Sequence, residues 1–103
     1  MQFRPSKPVR FNLGQIVATP GAIAAIADAG QQPEEFLGRH VTGDWGELSD
    51  DDRQSNDAAI ANEGDVDRQD RILSAYRTAK GVKVWVISEA DRSVTTLLLP
   101  DEY

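Results

Sequence analysis

The sequence predicts an α+β domain in which N-terminal helices pack on a C-terminal antiparallel β-meander of three strands or slightly more. Three observations predict it. Residues 71–99 (RILSAYRTAKGVKVWVISEADRSVTTLLL) alternate in polarity and are rich in β-branched and aromatic residues, interrupted twice by turn-forming groups. Residues 19–64 carry helix starts and stops at helical spacing. The chain has 103 residues, the size of one domain, with no interdomain linker, internal repeat or low-complexity tract.

Residues 1–12 read as a basic, flexible arm, because Pro5 and Pro8 prevent a regular helix. Residues 13–103 read as the single α+β domain. Leu13, Ile16 and Val17 form a short strand or an apolar lead-in. Thr19-Pro20 starts the first helix, with Thr at the N-cap and Pro at a position whose N–H has no helical partner. Ile23, Ile26 and Ala27 share a face, and Gly30 is the stop. A second helix starts at Pro33. Glu34 and Glu35 complement its dipole, and Phe36, Leu37, His40 and Val41 follow helical spacing. Gly43-Asp44-Trp45-Gly46 breaks it. Ser49 caps a third helix, Asp50, Asp51 and Asp52 fill its first turn, and Gly64 ends it. The polar stretch 64–70 reads as a mobile loop.

In the meander, Ile72, Ser74 and Tyr76 face one way and Leu73, Ala75 and Arg77 the other. Val82, Val84 and Val86 oppose Lys83, Trp85 and Ile87. Turns fall at Ala79-Lys80-Gly81 and Asp91-Arg92. Leu97-Leu98-Leu99 is apolar on both faces, which predicts a central or covered strand. Truncating Trp85 to Ala is expected to cost about 3–5 kcal/mol if its ring lies in the core.

Net charge is −6 and uneven. Residues 1–10 hold three basic groups and no acidic ones. Residues 28–70 hold thirteen acidic and three basic groups, and 71–103 hold five basic and four acidic. Phosphate-backbone binding needs clustered Lys and Arg, so nucleic acid is an expected partner only through the arm. The acidic middle is either a solvated face or a surface for a basic protein partner. Without cysteine there is no disulfide, thiol nucleophile or Cys-type zinc site, and one histidine makes no His-rich metal centre. Asp65, Asp67 and Asp70 lack the spacing of a calcium loop. No cofactor and no metal are expected. No apolar run reaches the length of a membrane span and residues 1–10 lack the h-region of a secretory signal, so a cytoplasmic location is expected.

Several residues can carry chemistry. His40 is the side chain whose ordinary pKa lies nearest neutrality, suited to general acid–base work or to packing at the end of its helix. The Gly43–Gly46 loop presents Asp44 and Trp45 either to a ligand, as acceptor and stacking platform, or to the core as a plug. The spacing from His40 to Asp44 invites a His–carboxylate pair. Asp91-Arg92-Ser93 with Thr95 and Thr96 sets a guanidinium beside hydroxyls, fit for a phosphate or carboxylate or for an ordinary hairpin. Ser74 and Tyr76 share a strand face and can line a cleft or pack across strands. No P-loop, dinucleotide fingerprint, nucleophile elbow or zincin motif is present.

With HVTGDWGELSDDDRQSN followed by ILSAY, VWVISEADRSVTTLLLPDEY, the chain resembles a family of small, mostly uncharacterised bacterial proteins carried on plasmids and integrative elements, the "plasmid-related proteins". The resemblance covers about residues 13–103. It rests on His40, Gly43, Asp44, Trp45, Asn56, Ser74, Tyr76, Trp85, Asp91, Arg92, Thr95, Pro100, Glu102 and Tyr103. The basic arm and residues 64–70 fall outside the pattern. The order of helices before an antiparallel sheet is also similar to barnase-like ribonucleases.

Two functions from different classes follow. One is a small acidic interaction or regulatory protein of a mobile genetic element that binds a macromolecular partner, with Asp44, Trp45, Ser74 and Asp91 as contacts; an uncovered sheet edge also allows a homodimer. The other is a metal-independent ribonuclease-like or nucleotide-processing enzyme. His40 would be its base, Arg92 would stabilise phosphate charge, and Tyr76 and Thr95 would touch substrate.

Overall fold

The computed structural model describes residues 7–103. Seven elements build it: β1 (Gln15–Ala18), α1 (Pro20–Asp28), α2 (Pro33–Val41), α3 (Asp50–Ala61), β2 (Ile72–Arg77), β3 (Lys83–Ser88) and β4 (Val94–Leu98). A 3-10 turn at Pro100–Glu102 follows. The helix starts are made as the residues demand. Thr19 Oγ1 accepts the amide of Ala22 at 3.2 Å, and Ser49 Oγ accepts that of Asp52 at 3.2 Å, each meeting an amide the helix itself leaves free.

The sheet has four strands in the order β1-β4-β3-β2. β2, β3 and β4 form the expected antiparallel meander, with Ser74 opposite Val86 and Ser88 opposite Thr95. β4 is central, as its two-sided apolar character requires. The sheet is nevertheless mixed rather than antiparallel throughout, because β1 adds to the far side of β4 in parallel, Ile16 beside Thr95. The helices are also not all N-terminal to the sheet. β1 precedes them, and the 3-10 turn closes the chain. β1 reaches β4 closely because position 14 is Gly at φ 66°; a Cβ there would collide with the carbonyls of Arg92 and Ser93.

Of the expected arm, residues 1–6 lie outside the described residues. Its last residues belong to the domain: the Arg10 amide donates to the Val41 carbonyl at 2.8 Å and Phe11 is buried in the core. The stretch 64–70 is tied back as well. The Gly64 amide donates to Gln69 Oε1 at 2.9 Å, and Gln69 Nε2 donates to the Ala90 carbonyl.

The two faces of the sheet differ. On the inner face Ile72, Tyr76, Val84, Val86 and Leu97 pack against Ala22 and Ile26 of α1, Phe36, Leu37 and Val41 of α2, and Ala59 of α3. Each fully buried large side chain stabilises the fold by about 1.5–3 kcal/mol. The outer face, built from the alternate positions Leu73, Trp85, Ile87 and Leu98, carries no α-helix. Tyr103 folds over it, its ring edge-on to Trp85 at 5.9 Å and 70°. Trp85 is therefore a partly exposed outer-face residue and not a core one.

Candidate functional site

The inner face brings together the polar residues that the sequence singles out, and it seals them. His40 follows Phe36 and Leu37 on the apolar stripe of α2, so its ring is carried into the core, where its exposure is 0%. There its Nδ1 lies 2.5 Å from Ser74 Oγ on β2, and its Nε2 lies 3.0 Å from Ser88 Oγ on β3. Ser88 Oγ lies 2.6 Å from Thr95 Oγ1 on β4, and Thr95 Oγ1 donates to the Leu13 carbonyl at 2.7 Å.

That terminal carbonyl fixes the proton order from Thr95 back to His40 Nε2. It can only accept, so the Thr95 hydroxyl hydrogen is committed to it. Ser88 must then donate to Thr95 and His40 must donate through Nε2–H to Ser88; with the ring neutral, its Nδ1 accepts from Ser74. The histidine is neutral, in one tautomer, with both nitrogens occupied. Burial, followed by the positive charge of Arg92, pushes its pKa down to about 3. Phe11 and Trp45 flank the ring edge-on at 5.2 and 6.1 Å.

Arg92 is likewise enclosed, at 7% exposure. Its Nη2 meets Glu63 Oε1 at 2.8 Å, and its Nη1 donates to the carbonyls of Asp70 (2.7 Å), Glu89 (2.8 Å) and Ala90 (3.2 Å). Its backbone takes the left-handed φ of 59°, uncommon for a residue with a Cβ, and this set of side-chain bonds holds it there. The guanidinium thus clasps α3's end, the 64–70 segment and the β3–β4 turn, and its fork is not open to a phosphate.

The remaining candidates part ways. Trp45 is buried, stacks near Phe11 and donates through Nε1 to Asp57 at 3.1 Å, so it is a core plug and not a stacking platform. Asp44 does not pair with His40. Its carboxylate pairs with Arg39 at 2.7 Å, which holds its pKa below the usual carboxylate range, while its carbonyl accepts from the Tyr76 hydroxyl at 2.5 Å. Burial pushes the Tyr76 phenol up and keeps it a donor. Asp91 is exposed and accepts from the amide and hydroxyl of Ser93 at 3.0 and 2.6 Å, which lower its pKa. Ser74, cast as a contact, is buried in the network.

No buried side-chain nitrogen or oxygen among the described residues lacks a partner. His40, Tyr76, Thr95 and Ser74 are thus together, and all four are buried. Among the described residues no group of three or more His, Cys, Asp and Glu side chains could hold a metal ion, and no helix is long and apolar enough to cross a membrane.

What does face outward is a shallow cavity of about 290 Å³ on the helix-free sheet face, lined by Arg71, Leu73, Trp85, Ile87 and Tyr103. Arg71 closes one side, donating to the Tyr103 hydroxyl at 2.9 Å and approaching Glu89 at 3.8 Å. The helical layer carries the acid. Of the thirteen carboxylates in 28–70, five are in ion pairs with described residues: Asp28, Asp44, Glu47, Glu63 and Asp65.

Sequence reasoning missed Ser88, Glu63 and the groove. Ser88 had a signal, since it continues the inward alternation Val84, Val86. A serine in an otherwise apolar register marks a buried hydroxyl that needs a partner. Comparison with protein-family models, curated proteins and solved structures finds no match.

Proposed function

We propose that the chain is a small acidic binding protein that acts by engaging a protein partner with a basic surface, in the regulatory role that its resemblance to mobile-element proteins implies. One observation carries this reading: the polar residues suited to catalysis are interior and mutually satisfied, so the chemistry offered to the outside is that of recognition. An aromatic–apolar groove supplies desolvation energy, and aromatic and Arg side chains of this kind dominate interface energetics. The eight carboxylates of 28–70 outside ion pairs with described residues favour a basic partner and speed its approach. The ribonuclease-like alternative needs His40, Arg92, Tyr76 and Thr95 open to RNA, and their burial lends it no support.

The test is capture of host proteins on the immobilised chain at low and high salt. A partner is expected at low salt, released at high salt, and not retained by Trp85→Arg or by the triple variant Asp50→Asn, Asp51→Asn, Asp52→Asn. Retention of nothing at low salt overturns the reading.

A further inference from the structure

The two edges of the sheet are finished differently. At the β2 edge, Asn56 of α3 stands in for a neighbouring strand: its Nδ2 donates to the Leu73 carbonyl at 2.6 Å and its Oδ1 accepts the Leu73 amide at 3.2 Å. Two residues on, the Ala75 amide donates to the Trp45 carbonyl at 3.1 Å and the Ala75 carbonyl accepts the Glu47 amide at 2.7 Å. Gly46, at φ 76°, permits this approach, since a Cβ there would strike the Ala75 carbonyl. The β2 edge is closed at Leu73 and Ala75.

The β1 edge has no such cover among the described residues. The amides of Gln15 and Thr19 turn inward to the carbonyls of Ser93 and Leu97, at 2.9 and 3.0 Å. By strand alternation Ile16 and Ala18 direct their amides and carbonyls away from the sheet. Val17 between them is 39% exposed, and Ile23 on the following helix is 54% exposed. Edge strands are ordinarily blunted by shortness, Lys, Pro or a bulge; β1 is short, four residues, but carries no Lys, Pro or bulge.

We infer that β1 is a pairing edge for a second copy of this chain, forming a two-fold symmetric, continuous eight-stranded sheet. The register is self-complementary. With Val17 opposite the second copy's Val17 on the axis, Ile16 exchanges both backbone bonds with the second copy's Ala18, and Ala18 with the second copy's Ile16. Four hydrogen bonds flank a non-hydrogen-bonded valine pair, where side chains sit closest.

Charge selects this occupant. Two copies of a chain with net charge −6 repel wherever their acidic layers approach. Residues 11–27, which comprise β1 and most of α1, contain no charged residue. The Glu102 carboxylate, which reaches the start of α1, is held by the Thr19 hydroxyl at 2.5 Å and the Gly21 amide at 3.2 Å. The strip that can pair is thus the strip on which like copies can meet. Because residual repulsion opposes association, rising salt strengthens it. This is opposite to the salt response of the basic partner proposed above, so the two fail independently.

Sedimentation velocity from micromolar to near-millimolar concentration, at low and high salt, tests the inference. The chain is expected to shift from monomer to dimer with concentration, more readily at high salt. Val17→Lys, which sets two ammonium groups face to face on the axis, should remain monomeric at every concentration with an unchanged circular dichroism spectrum. Trp85→Arg, on the outer face, should dimerise as the parent does. A parent that stays monomeric at the highest concentration overturns the inference, and so does a folded Val17→Lys that still dimerises.

Discussion

The inner and outer faces of one sheet carry opposite kinds of residue to opposite ends. On the inner face Ser74, Ser88 and Thr95 sit at positions where the alternation calls for apolar side chains, and a single histidine from α2 joins them into a chain that ends on a backbone carbonyl. On the outer face Leu73, Trp85 and Ile87 sit where a solvated face calls for polar ones. The hydroxyls inside are tolerated because every donor finds an acceptor, and each such bond contributes about 1 kcal/mol net while an unmade one costs about 1–3. The apolar face outside is only partly covered: Ile87 and Leu98 are buried, while Leu73 and Trp85 stay half-buried beside the ring of Tyr103. The difference teaches where to look for function: mutually satisfied polar groups inside hold the architecture, and the half-covered apolar groove outside is where the proposed recognition is to be tested.

The contrast can be broken at several points. Arg92→Ala should have the largest effect, about 3–5 kcal/mol of stability in urea unfolding, because it strands Glu63 and three carbonyls that now share one guanidinium. A loss below about 1 kcal/mol would mean that Arg92 is solvated and available to a ligand.

His40 gives the next effect, in pH. Its folded pKa of about 3 lies below the ordinary 6.5, so below pH 6.5 the unfolded chain takes up a proton that the folded chain refuses. Stability should therefore fall as pH drops from 6.5 toward 3, by up to about 1.4 kcal/mol per pH unit. The Asp44 carboxylate, held low by Arg39, adds its own loss only below roughly pH 5, where an unfolded Asp begins to protonate. With a single histidine in the chain, the fall of about 2 kcal/mol between pH 6.5 and about 5 reads His40. A flat profile there would contradict the buried neutral ring.

Asn56→Ala should cost about 2 kcal/mol, having removed both bonds that finish the β2 edge. It should also speed amide exchange at Leu73 more than at Val86 in the middle of the sheet. Smallest is Trp85→Ala, at about 1–2 kcal/mol, well under the about 3–5 kcal/mol expected for the buried Phe36→Ala on the other face. Equal losses for the two would erase the distinction between the faces.

Local signals made much of this legible. Thr19-Pro20 and Ser49 declare helix starts because capping is a matter of adjacent residues, and the alternation of 71–99 declares strands because pleating is too. What depends on distant segments was not legible. The parallel partner of β1 lies at the other end of the chain, and four residues without alternation of charge do not name it. Arg92 among hydroxyls reads as an anion site until Glu63 and the carbonyl of Asp70 are brought to it by the fold. Trp85 alternates correctly, but periodicity assigns residues to two faces without saying which one the helices cover. His40 and Ser74 stand out as polar residues on apolar stripes; their burial is a property of packing that adjacent residues do not announce.

The most direct measurement is the proton titration of His40, followed by NMR through its ring Cε1–H resonance in the folded chain. The buried network predicts one tautomer and a resonance that stays put from pH 8 down to about 4. A titration with a midpoint near 6.5 in the folded protein would put the ring in water, open the inner face to a substrate, and contradict the division of labour on which this account rests.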